Sequence, residues 1–371
     1  MIPQRLSRSV AHVAAGQSRM AAAGRAPRLP EMYLGTMTFA WEQASRPVDD
    51  AAAAAMVERF VGGGGTQLDT ARIYSGGDAE EMLGRVLRGP GVDAGAFTIA
   101  TKAHPSQPGG LSRQGIRQQL SNSLRALQRE RVDVLYLHQP DPDHDLAESL
   151  ECVQELVQEG AIARYGMSNY SAVEVERCFE ICKARGWLAP SFYQGLYNPL
   201  NRMVEEDLLP VLRQNGVAFI AFNPLAAGML TGKHAQGGEV AAGRFRNNPN
   251  YLPRFYTEPN FASVGRIRDA CESHSLGMVE ATYAWLLRHS QLAASYGDGV
   301  LLGASSPEQL DQNVAACVDA PELPSIVAAA FDDAWVTCRE GAFPYWRSYS
   351  RDQPGREKMH PGASYNAAKT K

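Results

Sequence analysis

The sequence predicts a (β/α)8 barrel, and three observations carry that expectation. Eight short apolar runs alternate with longer segments of helical spacing. No Gly-rich turn follows the first run. Acid, phenol, ammonium and imidazole side chains stand at or just past the ends of consecutive runs. Alternating strands and helices imply parallel pairing, and eight parallel strands close on themselves without leaving an edge.

The expected strands are "YLGTMTF" (33–39), "TQLDT" (66–70), "FTIATK" (97–102), "VDVLYLH" (132–138), "ARYGMS" (163–168), "SFYQG" (191–195), "AFIAF" (218–222) and "VLLGA" (300–304). Between them lies "SRQGIRQQLSNSLRALQRE" (112–130), where Ile116, Leu120, Leu124 and Leu127 recur at helical spacing. The segments 145–160 and 171–186 read as helices closed by Gly160 and Gly186, the second opened by Ser171. A doubly wound sheet would carry G-x-G-x-x-G after its first strand; here "AWEQASRPVDD" follows instead. "GGGG" at 62–65 precedes a strand, so it is read as a connection and not as a phosphate loop. Between the seventh and eighth strands, residues 226–260 read as a long Gly-, Asn- and Pro-containing loop, followed by two helices. An insertion of that length is usually functional.

The barrel domain is expected over residues 31–350. Residues 1–30 hold Arg5, Arg8, Arg19, Arg25 and Arg28 and no acid, the composition of a transit-like or disordered leader. Residues 351–371 read as a flexible polar tail. The expected location is the cytoplasm, or a mitochondrion or plastid if the leader is a transit peptide. A net charge of −4 without a long basic run argues against a nucleic-acid partner. No apolar run reaches the ~20 residues of a membrane span. The six cysteines show no CxxC spacing and read as reduced thiols. Cys178 and Cys182, one helical turn apart, read as two thiols on one helix, and no metal site is expected.

Barrel chemistry sits at the C-terminal strand ends. There the sequence places Asp69 with Tyr74 in its loop, then Lys102, His138, Ser168 with Asn169, Gln194, and "FNPL" from Phe222. A free phenol, with a pKa of roughly 10, donates protons poorly near neutrality, and an adjacent Lys⁺ favours its phenolate. Lys102 beside Tyr74 would do this, Asp69 would be its counter-ion, and His138 would hydrogen-bond a substrate oxygen. The set suits carbonyl reduction, for which a nicotinamide cofactor must bring the hydride. A barrel isomerase or aldolase using a Lys102 Schiff base would leave Tyr74 and His138 unused.

"LDTARIYSGGDAEEMLG", "TK", "LYLHQPD" and "YGMSNY" together resemble the aldo-keto reductase superfamily, over about Leu34 to Arg347. "YQGLYNPLNR", "AFNPLAAGMLTGK", "GRF", "LGASSPEQLDQN" and "FPYWR" are similar to one branch, the aflatoxin aldehyde and succinic semialdehyde reductases. The resemblance implies NADPH-dependent reduction of aldehydes, dialdehydes and carboxylate-bearing aldehydes. It implies Tyr74 as proton donor, Lys102 and Asp69 as its tuning pair, and His138 as the group orienting the substrate oxygen. Ser168, Asn169 and Gln194 would hold the nicotinamide carboxamide, and Phe222 would stack on the ring. Asn223, Pro224, Leu225, Gly228, Leu230, Thr231, Gly232 and Lys233 would wrap the pyrophosphate. Ser305, Ser306, Gln309, Gln312 and Asn313 would hold the 2′-phosphate and adenine, where much of the superfamily has Lys or Arg. Arg254 and Arg347 match positions that contact a substrate carboxylate. The expected partner is a small-molecule aldehyde, and a homodimer is compatible with the chain. The alternative is a nucleotide-binding subunit of the potassium-channel β-subunit type, a barrel similar to this one but without the "FPYWR" end.

Overall fold

The computed structural model describes residues 28–41, 47–234, 237–238, 245 and 251–347. The leader expected before residue 28 and the tail expected from 351 lie outside the described residues. Eight strands form a closed parallel barrel in sequence order, β1 pairing with both β2 and β8. The elements run β1 (Glu31–Gly35), α1 (Asp50–Gly62), β2 (Gln67–Asp69), α2 (Asp78–Val86), β3 (Thr98–Ala103), α3 (Arg113–Leu127), β4 (Val132–Leu137) and α4 (Leu146–Gln158). They continue with β5 (Ile162–Ser168), α5 (Ala172–Arg185), β6 (Phe192–Leu196), α6 (Leu208–Gln214) and β7 (Ala218–Phe222). After β7 come α7 (Leu252–Phe255), α8 (Glu258–Glu272), α9 (Met278–Ala284), β8 (Gly299–Leu302), α10 (Pro307–Val318) and α11 (Ser325–Cys338).

The main core lies between the sheet and its helical ring, as the amphipathic spacing of the helices requires: Ile116, Leu120 and Leu127 of α3 are all buried. A smaller apolar cluster of Ala100, Val134 and Tyr136, with Phe192 against it, stands apart from that core. Tyr136 pairs across the sheet with Gly166, where a Cβ would lie 2.5 Å from the tyrosine ring. Gly166 therefore gives Tyr136 its space.

Local signals decide several ends. Ser171 and Glu174 form a capping box at the start of α5, and Gly186 ends it in the left-handed region. The "GGGG" stretch joins α1 to β2, as expected. Other boundaries differ from the expectation. The first strand stops at Gly35 and not at residue 39, because Phe39 N–H turns back to Thr36 O at 2.9 Å. The segment 36–39 is apolar because it is a buried turn. The helix expected to residue 130 ends at Leu127, where Gln128 takes a left-handed cap (φ 54°). The last strand ends at Leu302 rather than 304. The region read as one loop over 226–260 holds a 3-10 turn (Ala226–Thr231), α7 and the start of α8.

All six cysteines are free and buried. Cys178 and Cys182 gather around the Tyr165 hydroxyl, at 3.9 and 3.3 Å. Among the described residues no helix is long and apolar enough to cross a membrane.

Candidate active site

The C-terminal strand ends open into a cavity of about 470 Å³, whose wall includes Asp69, Tyr74, His138, Asn169, Gln194 and Arg347. Asp69 on its wall is one half of an ion pair whose other half, Lys102, lies behind it. Parallel register sets Asp69 of β2 opposite Ala100 of β3, two residues before Lys102. The Lys102 ammonium, with no exposed surface, donates to Asp69 Oδ1 and to Thr70 O at 2.8 Å. Gln194 Nε2 donates to the other carboxylate oxygen at 2.8 Å. Burial pulls the Lys102 pKa below the usual lysine range, and the charges of Asp69 and Glu80 and the Asp69 hydrogen bond oppose that pull.

Tyr74 stands over this pair, its ring centroid 5.2 Å from the Lys102 ammonium and 6.0 Å from the His138 ring. The turn that carries it (Tyr74–Gly77) is tight: Ser75 has φ 49° and Gly77 φ 117°. Gly77 is needed twice, for that angle and because a Cβ there would fall on the Arg72 guanidinium. Arg72 in turn pairs with the buried Glu80 at 2.9 Å, and Glu80 accepts from Thr101 at 2.5 Å. The tyrosine loop is thus tied to β3 through α2.

His138 follows β4. Its N–H donates to Ala103 O at 2.9 Å, and its carbonyl accepts from Asn169 Nδ2 at 2.8 Å. Burial, then the fields of His104, Lys102 and Arg347, hold its pKa well below the ordinary histidine value, so the ring is neutral. Asn169 has φ 64°, and its Oδ1 is buried with no hydrogen-bond partner among the described residues. Positive φ recurs in three non-glycine residues of the wall, Asn169, Asn223 and Ala227. Such angles cost energy and cluster where a site imposes them.

Of the other expected residues, Phe222, Asn223, Pro224, Leu225, Gly228, Thr231 and Lys233 line one side of the cavity, and Ser305, Gln309, Gln312 and Asn313 another. Ser305 N–H and Oγ both lie 3.0 Å from Gln309 Oε1. Three of the expected cofactor residues stand off the wall. Leu230 is core, Gly232 caps the 3-10 turn, and Ser306 is the N-cap of α10. Arg347 reaches the wall because its N–H donates to Asn169 O at 2.8 Å. Arg254 does not: it is buried in α7 with its guanidinium 5.1 Å above the Phe343 ring.

Sequence reasoning missed His104, Gln139 and Tyr283, all buried and all on the wall. The first two follow Lys102 and His138 by two and one residues, a proximity that could have marked them. Tyr283 lies in a helix of the insertion, and nothing in its local sequence sets it apart.

A model of the aldo/keto reductase family matches residues 31–335. The chain is 41% identical over 324 residues to aflatoxin B1 aldehyde reductase member 2 of Mus musculus, covering 85% of this chain and 87% of the relative. It is 40% identical over 319 residues to aflatoxin B1 aldehyde reductase member 2 of Homo sapiens, covering 83% and 87%. It is also 40% identical over 317 residues to aldo-keto reductase family 7 member A3 of Homo sapiens, covering 82% and 94%.

Proposed function

Since the chain belongs to the aldo/keto reductase family, we propose that it reduces aldehydes to alcohols with NADPH, Tyr74 giving the proton. The observation that carries this reading is the buried Asp69–Lys102 pair next to Tyr74, with Asp69, Tyr74 and a neutral His138 lining one cavity. The relatives named for aldehyde reduction support the substrate class.

Tyr74 donates its hydroxyl proton to the carbonyl oxygen as that oxygen gains charge. Lys102 stabilises the phenolate left behind, and Asp69 keeps the ammonium in place and compensated. His138, being neutral, offers a hydrogen bond to the oxygen without competing with Tyr74 as the proton donor. The nicotinamide cofactor, when bound, supplies the hydride.

The wall fits that cofactor. Asn169 spends its Nδ2 on His138 O and Ser168 Oγ, which leaves Oδ1 to accept from a carboxamide N–H. Gln194 has its Nε2 committed to Asp69, so it would offer its carbonyl. Phe222 would stack on the ring, and Lys233 would supply positive charge toward the pyrophosphate. The 2′-phosphate would meet hydroxyls, amides and the N-terminus of α10. No cation lies between residues 305 and 313, and the nearby Arg59 is committed to Asp311 at 2.5 Å. NADPH should therefore be preferred over NADH by only roughly 10- to 100-fold, the value of about one hydrogen bond to a charged group. Comparing kcat/KM for the two cofactors tests this, and parity or a preference for NADH would count against the assignment.

Arg347 is assigned to a remote carboxylate, as in succinic semialdehyde, because a guanidinium matches that group with two parallel hydrogen bonds. Arg347→Ala should lower kcat/KM for such a substrate by roughly 10- to 100-fold, the value of a charged hydrogen bond. A neutral aromatic aldehyde should lose far less. Equal losses on both would mean that Arg347 only props the C-terminal segment against Asn169. Arg254, off the wall, is the weaker candidate for a second clamp.

A screen of NADPH oxidation against aldehydes and ketones tests the whole reading. Tight NADPH binding with negligible turnover on every carbonyl compound would favour the channel-subunit type instead.

A further inference from the structure

The reduction described above makes no use of the buried acid Glu80. It lies in the first turn of α2 and has no exposed surface. Its Oε1 accepts from Thr101 Oγ1 at 2.5 Å, and Thr101 is the residue before Lys102 on β3. Its Oε2 accepts from Arg72 Nη1 at 2.9 Å. One partner is therefore on the strand that carries the ammonium, and the other stands two residues before the phenol.

The turn that Arg72 meets is an unfavourable one. After Tyr74 come Ser75, Gly76 and Gly77 with φ 49°, 67° and 117°, three successive left-handed residues. That backbone is costly for a residue with a Cβ such as Ser75, and it persists only where its surroundings impose it. Two side chains do so here. Ser75 Oγ donates to Phe39 O at 2.9 Å. Arg72 Nη2 lies against Gly77, where a Cβ would come within 1.1 Å of it, and donates a long hydrogen bond to Gly76 O at 3.4 Å. The guanidinium is thus wedged between the turn and Glu80. Its planar fork gives Nη1 to the acid and Nη2 to the turn, and a single lysine nitrogen does not reproduce that. The Arg72 side chain is 12% exposed and that of Glu80 0%, so water and salt screen the pair little.

Tyr74 lies five residues past the end of β2, beyond the register that the sheet imposes. Arg72, Glu80 and Thr101 replace that register. They tie the turn to β3 next to Lys102, whose ammonium is 5.2 Å from the Tyr74 ring centroid.

We propose that Arg72, anchored on Glu80, is a positioning residue for the reduction: it braces the turn that holds Tyr74 beside Lys102. The proposal rests on the reading of this site as an aldehyde reductase. Misplacing a reacting group by about 1 Å costs on the order of 10²-fold in rate.

The test uses the full chain and two variants. Arg72→Lys keeps the charge and loses the fork. Arg72→Ala combined with Glu80→Gln removes the brace and leaves no buried charge alone, so it avoids the destabilisation that Arg72→Ala by itself would bring. The double variant should lose on the order of 10²-fold in kcat, with Arg72→Lys between it and the wild type. The aldehyde KM and the NADPH dissociation constant, read by fluorescence titration, should hold. A phenol that drifts from Lys102 is harder to ionise. A proton donor works only while protonated, so activity is lost as pH rises through its pKa. The alkaline limb of kcat against pH should therefore move upward in both variants, toward the free-phenol value of roughly 10. Lys102 and His138, which pack against Tyr74, and Asp69, which pairs with Lys102, are the same in every protein compared. A fall in kcat with the limb unmoved, or wild-type kcat in the double variant, overturns the proposal. If the wild-type protein turns over no carbonyl compound, the reductase reading falls and the brace is judged by hydrogen exchange over residues 72–80. Faster exchange there in the double variant supports the brace, and unchanged exchange overturns it.

Discussion

Tyr74→Phe is expected to abolish aldehyde reduction while NADPH still binds. The ring is half-buried in a strained turn, with Lys102 and His138 on either side. Phenylalanine keeps that ring and removes only the hydroxyl, so the fold and the cofactor wall should survive. The loss should follow general acid catalysis, roughly 10²–10⁴-fold in kcat. Steady-state turnover measures it, and a fluorescence titration with NADPH checks that binding persists. Retention of more than about a tenth of wild-type turnover would mean that the proton comes from elsewhere. His138 is a poor substitute donor, since its environment already holds it neutral.

The second large effect concerns the ion pair. Lys102→Met should remove activity and also destabilise the protein. Lys102 and Asp69 have side-chain exposures of 0% and 1%. Removing one member of a buried pair leaves the other charge uncompensated, at a cost of about 3–5 kcal/mol. Denaturant unfolding of the single variant would read that cost. Adding Asp69→Asn should restore much of the stability, because no buried charge is left alone. It should restore no activity, because nothing then stabilises the Tyr74 phenolate. Recovery of turnover in the double variant would show that Lys102 serves folding and not catalysis.

The strand ends were legible because a barrel exposes them in a known order. Once eight runs were recognised, Asp69, Lys102, His138 and Asn169 followed from position alone. The two-residue periodicity that carries such inference stops where the strand stops. This is why His104 and Gln139 were missed: both lie past a strand end, and the path of the loop decides where they point. The same limit explains Phe39, whose apolar surroundings read as strand while the chain had already turned back on Thr36.

Hydrogen-bond commitments were out of reach for another reason. Gln194 could be read as a polar wall residue, but not that its nitrogen is spent on Asp69 across the barrel. Arg254 and Arg347 look alike in sequence. One ends buried above Phe343, and the other is drawn to the wall by its backbone N–H. By itself the sequence determined the barrel, the residue types at its mouth and the chemistry those types allow. Only the tertiary structure decided which atoms remain unspent. Those commitments are made between strands far apart in the chain, and a buried polar atom takes whichever partner the closed barrel brings within reach.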